Sequence, residues 1–374
     1  MAISARALNA VELRRLEHNR VLRLSPVWAS SPPLQDHHAL VGTLDYTRAE
    51  VEPLPYIPGG WNITGQGAEK MSKSVLALVL VVGFVSTSSE QPAPNPVGQA
   101  AADRNATGTL RQIIPGHYMY GPPGFNSGII VTSEGVVVLD ALGSEAMART
   151  EREAIASTIR QPVRILVSST FHNPFSKGNV AYADALKIGH ENYRTDLLAL
   201  MQRENVSAEE QKARLPQQTF RDRLTLYLGG KEIQILYVGR AHTRGDSIIF
   251  VPQDRIAYLS ELYFADQFVV INDGYGVDWV RALDAVETLG ADIFVPGHGP
   301  IPADPRESRQ GLRRFRQMLV DVRDAVQKEV ARGATEDQAV AAVRWPQYEN
   351  VRGYNTQRET AVRRLYQQLT GKLP

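Results

Sequence analysis

The run Val136-Val137-Val138-Leu139, closed by Asp140, limits what this chain can fold into more than any other stretch. A strand with one wet face alternates apolar and polar residues. An unbroken apolar run needs cover on both faces, which layered α/β proteins supply. Val163-Arg164-Ile165-Leu166-Val167 and Ile293-Phe294-Val295 read as further strands. The first leads into Ser169–Asn179 and the second delivers His298. Loops beyond strand ends are where a rigid α/β frame gathers functional side chains.

The remaining pattern fits that class. Ser127–Thr132 reads as a strand, followed by the turn Ser133-Glu134-Gly135. Ser144 is placed to cap a helix running to about Ile159. A helix is expected over Asn179–Leu186, a strand over Lys187–His190 and a helix over Tyr193–Glu204. Leu224–Leu228 and Glu232–Tyr237 flank Gly229-Gly230 as a hairpin. Ser247–Val251 and Ile256–Leu259 form a second strand pair, and Trp279–Leu289 is helical. From Asp304 the chain reads as helical, with Leu312, Phe315, Met318, Leu319, Val322, Ala325 and Val326 on one face. Further helices are expected over Glu336–Val343 and Thr356–Leu369.

The 374 residues carry a formal net charge of +1 and no cysteine. Near neutrality gives no electrostatic basis for binding nucleic acid or an anionic membrane surface. Without cysteine there is neither a disulfide nor a thiolate ligand. Residues 1–70 lack sustained periodicity and read as an extension outside the mature fold. Residues 71–89 then show Lys73, the eleven-residue apolar run Val75–Val85 and the small residues Ser86-Thr87-Ser88-Ser89, the build of a signal peptide. A membrane anchor needs about 20 apolar residues. A buried core strand or helix is the other reading, but Lys73 before the run and the Pro-rich stretch after it favour export. Translation from Met71, or a real extension that masks the signal, would each account for the seventy residues before it. Residues 90–110 read as a linker, 111–302 as the main domain and 303–374 as a helical extension.

Four motifs carry the chemistry. They are Gly239-Arg240-Ala241-His242-Thr243-Arg244-Gly245-Asp246, Ser260-Glu261-Leu262, Pro296-Gly297-His298-Gly299-Pro300 and Ser169-Thr170-Phe171-His172-Asn173-Pro174-Phe175-Ser176-Lys177-Gly178-Asn179. In order and spacing they resemble the metallo-β-lactamase superfamily over about residues 111–302. The resemblance implies a four-layer αββα sandwich with a metal site, at which bound water attacks a carbonyl or phosphoryl centre. His172, His242 and His298 fall on histidine-ligand positions, and Glu261 falls on the bridging aspartate position. The T-H-x-H-x-D-H motif is degenerate: Thr170 and Phe175 replace histidines and Pro174 replaces the aspartate. A dinuclear centre is thereby lost, and at most one divalent ion, zinc by donor type, is expected. Asp140 and Asp246 read as loop anchors through side-chain-to-backbone bonds, and Gly297 and Gly299 as the turn that aims His298.

Outside these motifs, His190 reads as structural. His117, placed before the first strand, reads as a surface group or pocket wall. Arg309, Arg313, Arg314 and Arg316 read as the solvated face of a helix. Two function classes follow. One is an exported, metal-dependent hydrolase acting on a small molecule with an ester, lactone, β-lactam or related bond. The other is an inactive relative that binds a ligand or protein, with Phe171 and Phe175 lining an apolar pocket. No nucleic-acid partner and no stable membrane span after signal cleavage are expected. If Met71 opens a signal peptide, N-terminal sequencing of the exported product should place its first residue in the Ser86–Gln91 neighbourhood; a peptide from residues 1–70 in the mature protein would rule out an early start.

Overall fold

The computed structural model describes residues 108–121 and 124–373. The extension and the signal-peptide-like segment lie outside the described residues.

Two sheets form the centre. The first has seven strands in chain order: β1 (Thr109–Ile114), β2 (His117–Gly121), β3 (Ser127–Thr132), β4 (Gly135–Leu139), β5 (Val163–Ser168), β6 (Leu186–His190) and β7 (Gln218–Phe220). Pairing is antiparallel from β1 to β4 and parallel from β4 to β7. The second sheet holds β8 (Arg223–Leu228), β9 (Lys231–Leu236), β10 (Ile248–Val251), β11 (Ile256–Phe264) and β12 (Ile293–His298), in the order β12-β11-β10-β9-β8.

The apolar runs are explained by cover on both faces. Val137 and Leu139 join Ile165, Val167, Ile235, Ile249, Ile256 and Val295 in the core between the sheets. Val136 and Val138 point the other way, toward Met147, Ala148 and Ile155 of helix α1 (Glu145–Thr158). The Ser144 side chain caps α1 by accepting from the Met147 N–H at 3.2 Å. The second sheet divides in the same way. Ile256 and Tyr258 face the inter-sheet core. Ala257 and Leu259 face a cluster that includes Trp279, Leu283, Phe315 and Leu365. These come from α5 (Gly276–Glu287), α6 (Pro305–Ala331) and α8 (Tyr354–Leu369). The architecture is a four-layer αββα sandwich followed by helices.

Short helices complete the chain: α2 (Asn173–Ser176), α3 (Glu191–Arg203), α4 (Ala208–Arg214) and α7 (Glu336–Ala342). Several local expectations are corrected. The helix expected over Asn179–Leu186 is a 3-10 turn over Lys177–Tyr182. The first described strand starts at Thr109, within the stretch read as linker. His117 opens β2 and is fully buried. Its Nε2–H donates to Asp254 at 2.8 Å, and its Nδ1 lies 3.1 Å from the Tyr258 hydroxyl, so it ties one sheet to the other. Burial lowers its pKa and keeps the ring neutral, against the pull of Asp254. The α6 arginines are ion-paired, not only solvated: Arg313 with Glu287 and Arg316 with Asp284, both on α5.

Glu151 of α1 is fully buried, and its Oε2 accepts from the Tyr182 hydroxyl at 2.6 Å. Burial pushes its carboxyl up to about 8. The folded state therefore binds a proton that the unfolded chain releases near its ordinary value of 4.5. Stability from this group is full below that value and is lost as pH rises toward 8. Glu151→Gln should raise the melting temperature at pH 8 by about 2–4 °C for each kcal/mol recovered. The gain should shrink as pH falls to 5, which thermal melts of both proteins across that range would check.

Candidate metal centre

The four candidate side chains meet at one end of the sandwich. His172 follows β5 and immediately precedes α2, without a side-chain capping bond. His242 sits in the loop between β9 and β10, Glu261 lies within β11, and His298 ends β12. Glu261 is 6% exposed and His242 2%.

Local geometry explains how they are aimed. Ser260 has φ +47, and the β11–β12 register shifts beside it, so Glu261 leaves the regular pleat. A Cβ on Gly297 would meet the Ser260 backbone at 2.5 Å, and one on Gly299 (φ +90) would meet the Ala265 carbonyl at 2.3 Å. Only glycine lets the two strands approach there. Asp140 joins the site loops from below. Its Oδ1 accepts from the Ser169 N–H at 2.8 Å, and its Oδ2 accepts from the hydroxyls of Ser169 and Ser260 at 2.7 and 2.6 Å. Burial raises the Asp140 carboxyl to about 7, although these three bonds oppose the rise. Asp246 accepts from the Thr243 N–H at 2.6 Å and so fixes the loop that carries His242. Both aspartates are loop anchors, as expected.

Backbone carbonyls orient two of the rings. His242 Nδ1–H donates to the Val270 carbonyl at 2.9 Å, and His298 Nδ1–H donates to the Gly124 carbonyl at 2.7 Å. The far nitrogen of each ring turns toward Glu261. His242 Nε2 stands 3.2 Å from Glu261 Oε2, and His298 Nε2 stands 3.4 Å from Glu261 Oε1. His172 differs. Its Nδ1 lies 2.8 Å from Glu261 Oε2 and 3.0 Å from His242 Nε2, while its Nε2 lies 3.0 Å from Asp273 Oδ2. Burial lowers the His172 pKa, but Glu261 and Asp273 outweigh it and push the ring up to about 10. Burial opposes the ionised Glu261 carboxylate, yet His242 and His172 hold it well below the usual carboxylate range.

His172, His242 and Glu261 offer three donor atoms within 4.8 Å of one another. Donors bound to one tetrahedral zinc stand about 3.3 Å apart. The observed 2.8, 3.0 and 3.2 Å therefore need to open by only a few tenths of an ångström. The donor set fits one divalent ion. A second ion on the His298 side finds apolar walls. Phe175 is fully buried, with its ring centroid 5.3 Å from that of His298, and Phe125 and Phe264 stand at 5.3 and 4.8 Å. Phe175 fills this volume and does not line an open pocket. Thr170 is buried with its hydroxyl oxygen unpartnered. His190 caps α3, with Nε2–H donating to the Arg221 carbonyl at 2.7 Å, and takes no part in the site.

One residue the motifs do not contain is Asp273. It bonds His172 across 101 residues of sequence, from a loop with no recurrent pattern, so no local signal marks it.

A family model described as the metallo-beta-lactamase superfamily matches residues 121–298. Over that span the chain is similar to this superfamily of hydrolase-like proteins. It is 25% identical over 167 residues to a linear primary-alkylsulfatase of Pseudomonas sp., covering 42% of this chain and 31% of that protein. It is 26% identical over 178 residues to a metallo-beta-lactamase type 2 of Elizabethkingia meningoseptica, covering 46% of this chain and 68% of that one. Among solved structures, a stereoselective inverting sec-alkylsulfatase from Pseudomonas sp. superposes with a TM-score of 0.56 at 16% identity, covering 70% of this chain and 50% of that chain. This last likeness is one of fold. The chain spans 31% and 49% of the length of the first two curated relatives it matches, the alkylsulfatase and a 2,4-dinitroanisole O-demethylase subunit alpha of Nocardioides sp..

Restoring the lost donors tests whether the frame around them is intact. Thr170→His, Pro174→Asp and Phe175→His, combined with Glu261→Asp, should raise bound divalent metal per chain. Elemental analysis showing no gain over the unmodified protein would mean that the surrounding scaffold has closed over the second position.

Proposed function

We propose that this protein is a single-ion, metal-dependent hydrolase of a small molecule with an ester, lactone, β-lactam or related bond. The observation that carries this reading is the convergence of His172 Nδ1, His242 Nε2 and a buried Glu261 oxygen within 4.8 Å of one another. His172 Nδ1, His242 Nε2 and a Glu261 oxygen would hold the ion, and zinc suits an imidazole–carboxylate set of this size. When bound, such an ion supplies Lewis acidity and lowers the pKa of coordinated water.

The protein's own contributions are orientation and exclusion of water. The Val270 and Gly124 carbonyls fix the tautomers of His242 and His298. Phe125, Phe175 and Phe264 wall off the His298 side. Sequence resemblance to an alkylsulfatase and to metallo-beta-lactamases supports hydrolytic chemistry in general. We further propose export, on the strength of the segment at residues 71–89.

The test is metal content followed by a substrate screen. Purified protein should carry no more than one tightly held divalent ion per chain. Zinc at 100 times its dissociation constant should stabilise the fold by about 2.7 kcal/mol, or roughly 5–10 °C in melting temperature. His242→Ala should abolish most of that gain. Two ions lost together on chelation would contradict the single-ion site. A melting temperature unmoved by zinc or chelator, starting from verified metal-free protein, would leave a ligand-binding role as the better reading.

A further inference from the structure

We infer that the C-terminal helix α8 is a working part of the metal centre, with Arg364 as a positioning residue that acts through Asp273 on His172. The inference rests on the single-ion reading above and concerns residues outside the four motifs.

The loop between β11 and α5 touches two of the three donors. Its Val270 carbonyl accepts from His242 Nδ1–H at 2.9 Å. Its Asp273 carboxylate lies 3.0 Å from His172 Nε2. The Tyr275 N–H donates to the Ala241 carbonyl at 2.7 Å, next to His242 in sequence. A displacement of this loop would therefore turn both rings. Asp273 is exposed, its side chain 54% accessible, so the loop itself gives that carboxylate little packing to hold it.

What holds it comes from α8. Arg364 donates from Nη2 to the Asp273 carbonyl and from Nε to the Gly274 carbonyl, each at 2.9 Å. The planar fork of a guanidinium fixes two adjacent carbonyls at once in a rigid geometry that the rotatable donors of an ammonium do not impose. The same guanidinium lies 5.5 Å from the centre of the Tyr275 ring. One turn further on, Gln368 Oε1 accepts from the Val277 N–H at 3.0 Å. A Cβ on Gly276 would meet Leu365 at 2.7 Å, so the start of α5 is pressed against α8. The backbone of Asp273 is thus pinned by a helix that lies beyond the span matched by the family model. A carboxylate on the far nitrogen of a ligating histidine sets ring orientation and donor strength.

The experiment uses the full protein and the variants Asp273→Asn, Arg364→Ala, Arg364→Lys and Arg364→Ala with Asp273→Asn. Zinc affinity is measured by competition with a chromogenic chelator, with the melting temperature of each metal-free protein alongside. The 15N signal of His172 Nε2 is read in metal-free protein. Asp273→Asn should weaken zinc binding about 10- to 100-fold. Arg364→Ala should weaken it in the same direction and shift the His172 signal, and Arg364→Lys should recover only part of the loss. The double variant should bind zinc no more weakly than Asp273→Asn, because both changes act on one ring.

Additive losses, or affinities within twofold of the unmodified protein, would overturn the inference. A fall in melting temperature with affinity and ring signal unmoved would reduce Arg364 to packing, and also overturn it. Should Arg364→Ala fail to fold, the comparison is read on Arg364→Lys. If the unmodified protein takes up no zinc, the single-ion reading fails. A His172 signal that still shifts in Arg364→Ala would then keep Arg364 as the positioner of that ring, and an unmoved signal would remove both.

Discussion

A buried carboxylate facing three imidazoles is the interaction around which the rest of this structure is organised. Glu261 is 6% exposed, and an isolated charge at that depth is unfavourable by several kcal/mol. It is tolerable because cationic character is shared across it: a proton on His172, or an ion among the three donors. The scaffold is arranged to keep that sharing in place. Ser260 accepts a positive φ so that Glu261 can turn inward, and Asp140 binds Ser260 and Ser169 together beneath it. The same two bonds join a loop of the first sheet to a strand of the second, so the site is built where the two sheets are held to one another.

Much of the fold was readable because it rests on local rules. Unbroken apolar strands such as Val136–Leu139 need cover on both faces, and the glycine-flanked His298 sits at a strand end. The elements that escaped have weak local signals. In β1 the exposed residues outnumber the half-buried ones in its first four positions, so it carries no clean alternation. The edge strand β7 has three residues, and α4 is a polar heptad with only Arg214 buried. In the tight 3-10 turn after α2, Gly178 lies against Ala141, where a Cβ would sit 1.7 Å from the carbonyl oxygen.

For the site, the motifs supplied the four side chains, and three dimensions supplied their relations. His172, His242 and Glu261 form one donor triangle, while His298 faces the other Glu261 oxygen from within an aromatic cage. The substitution at Phe175 reads in sequence as a missing ligand. In space it is a packed ring that gives His298 an apolar neighbour and makes the volume dry. Asp273 and Arg364 could not have been found from spacing, since their roles depend on chain segments 101 and 91 residues apart in sequence.

The helical cover of the second sheet sets the smallest portable form of this protein. Phe250, Ala257, Leu259 and Phe294 point outward from that sheet into residues contributed by α5, α6 and α8. A fragment cut at residue 298, where the family match stops, would lose two of those three helices. It would present a broad apolar sheet face to water, the kind of surface that drives self-association. Domain swaps, reporter fusions or directed-evolution libraries built on this chain therefore need to carry the sequence through Leu369 as one cassette.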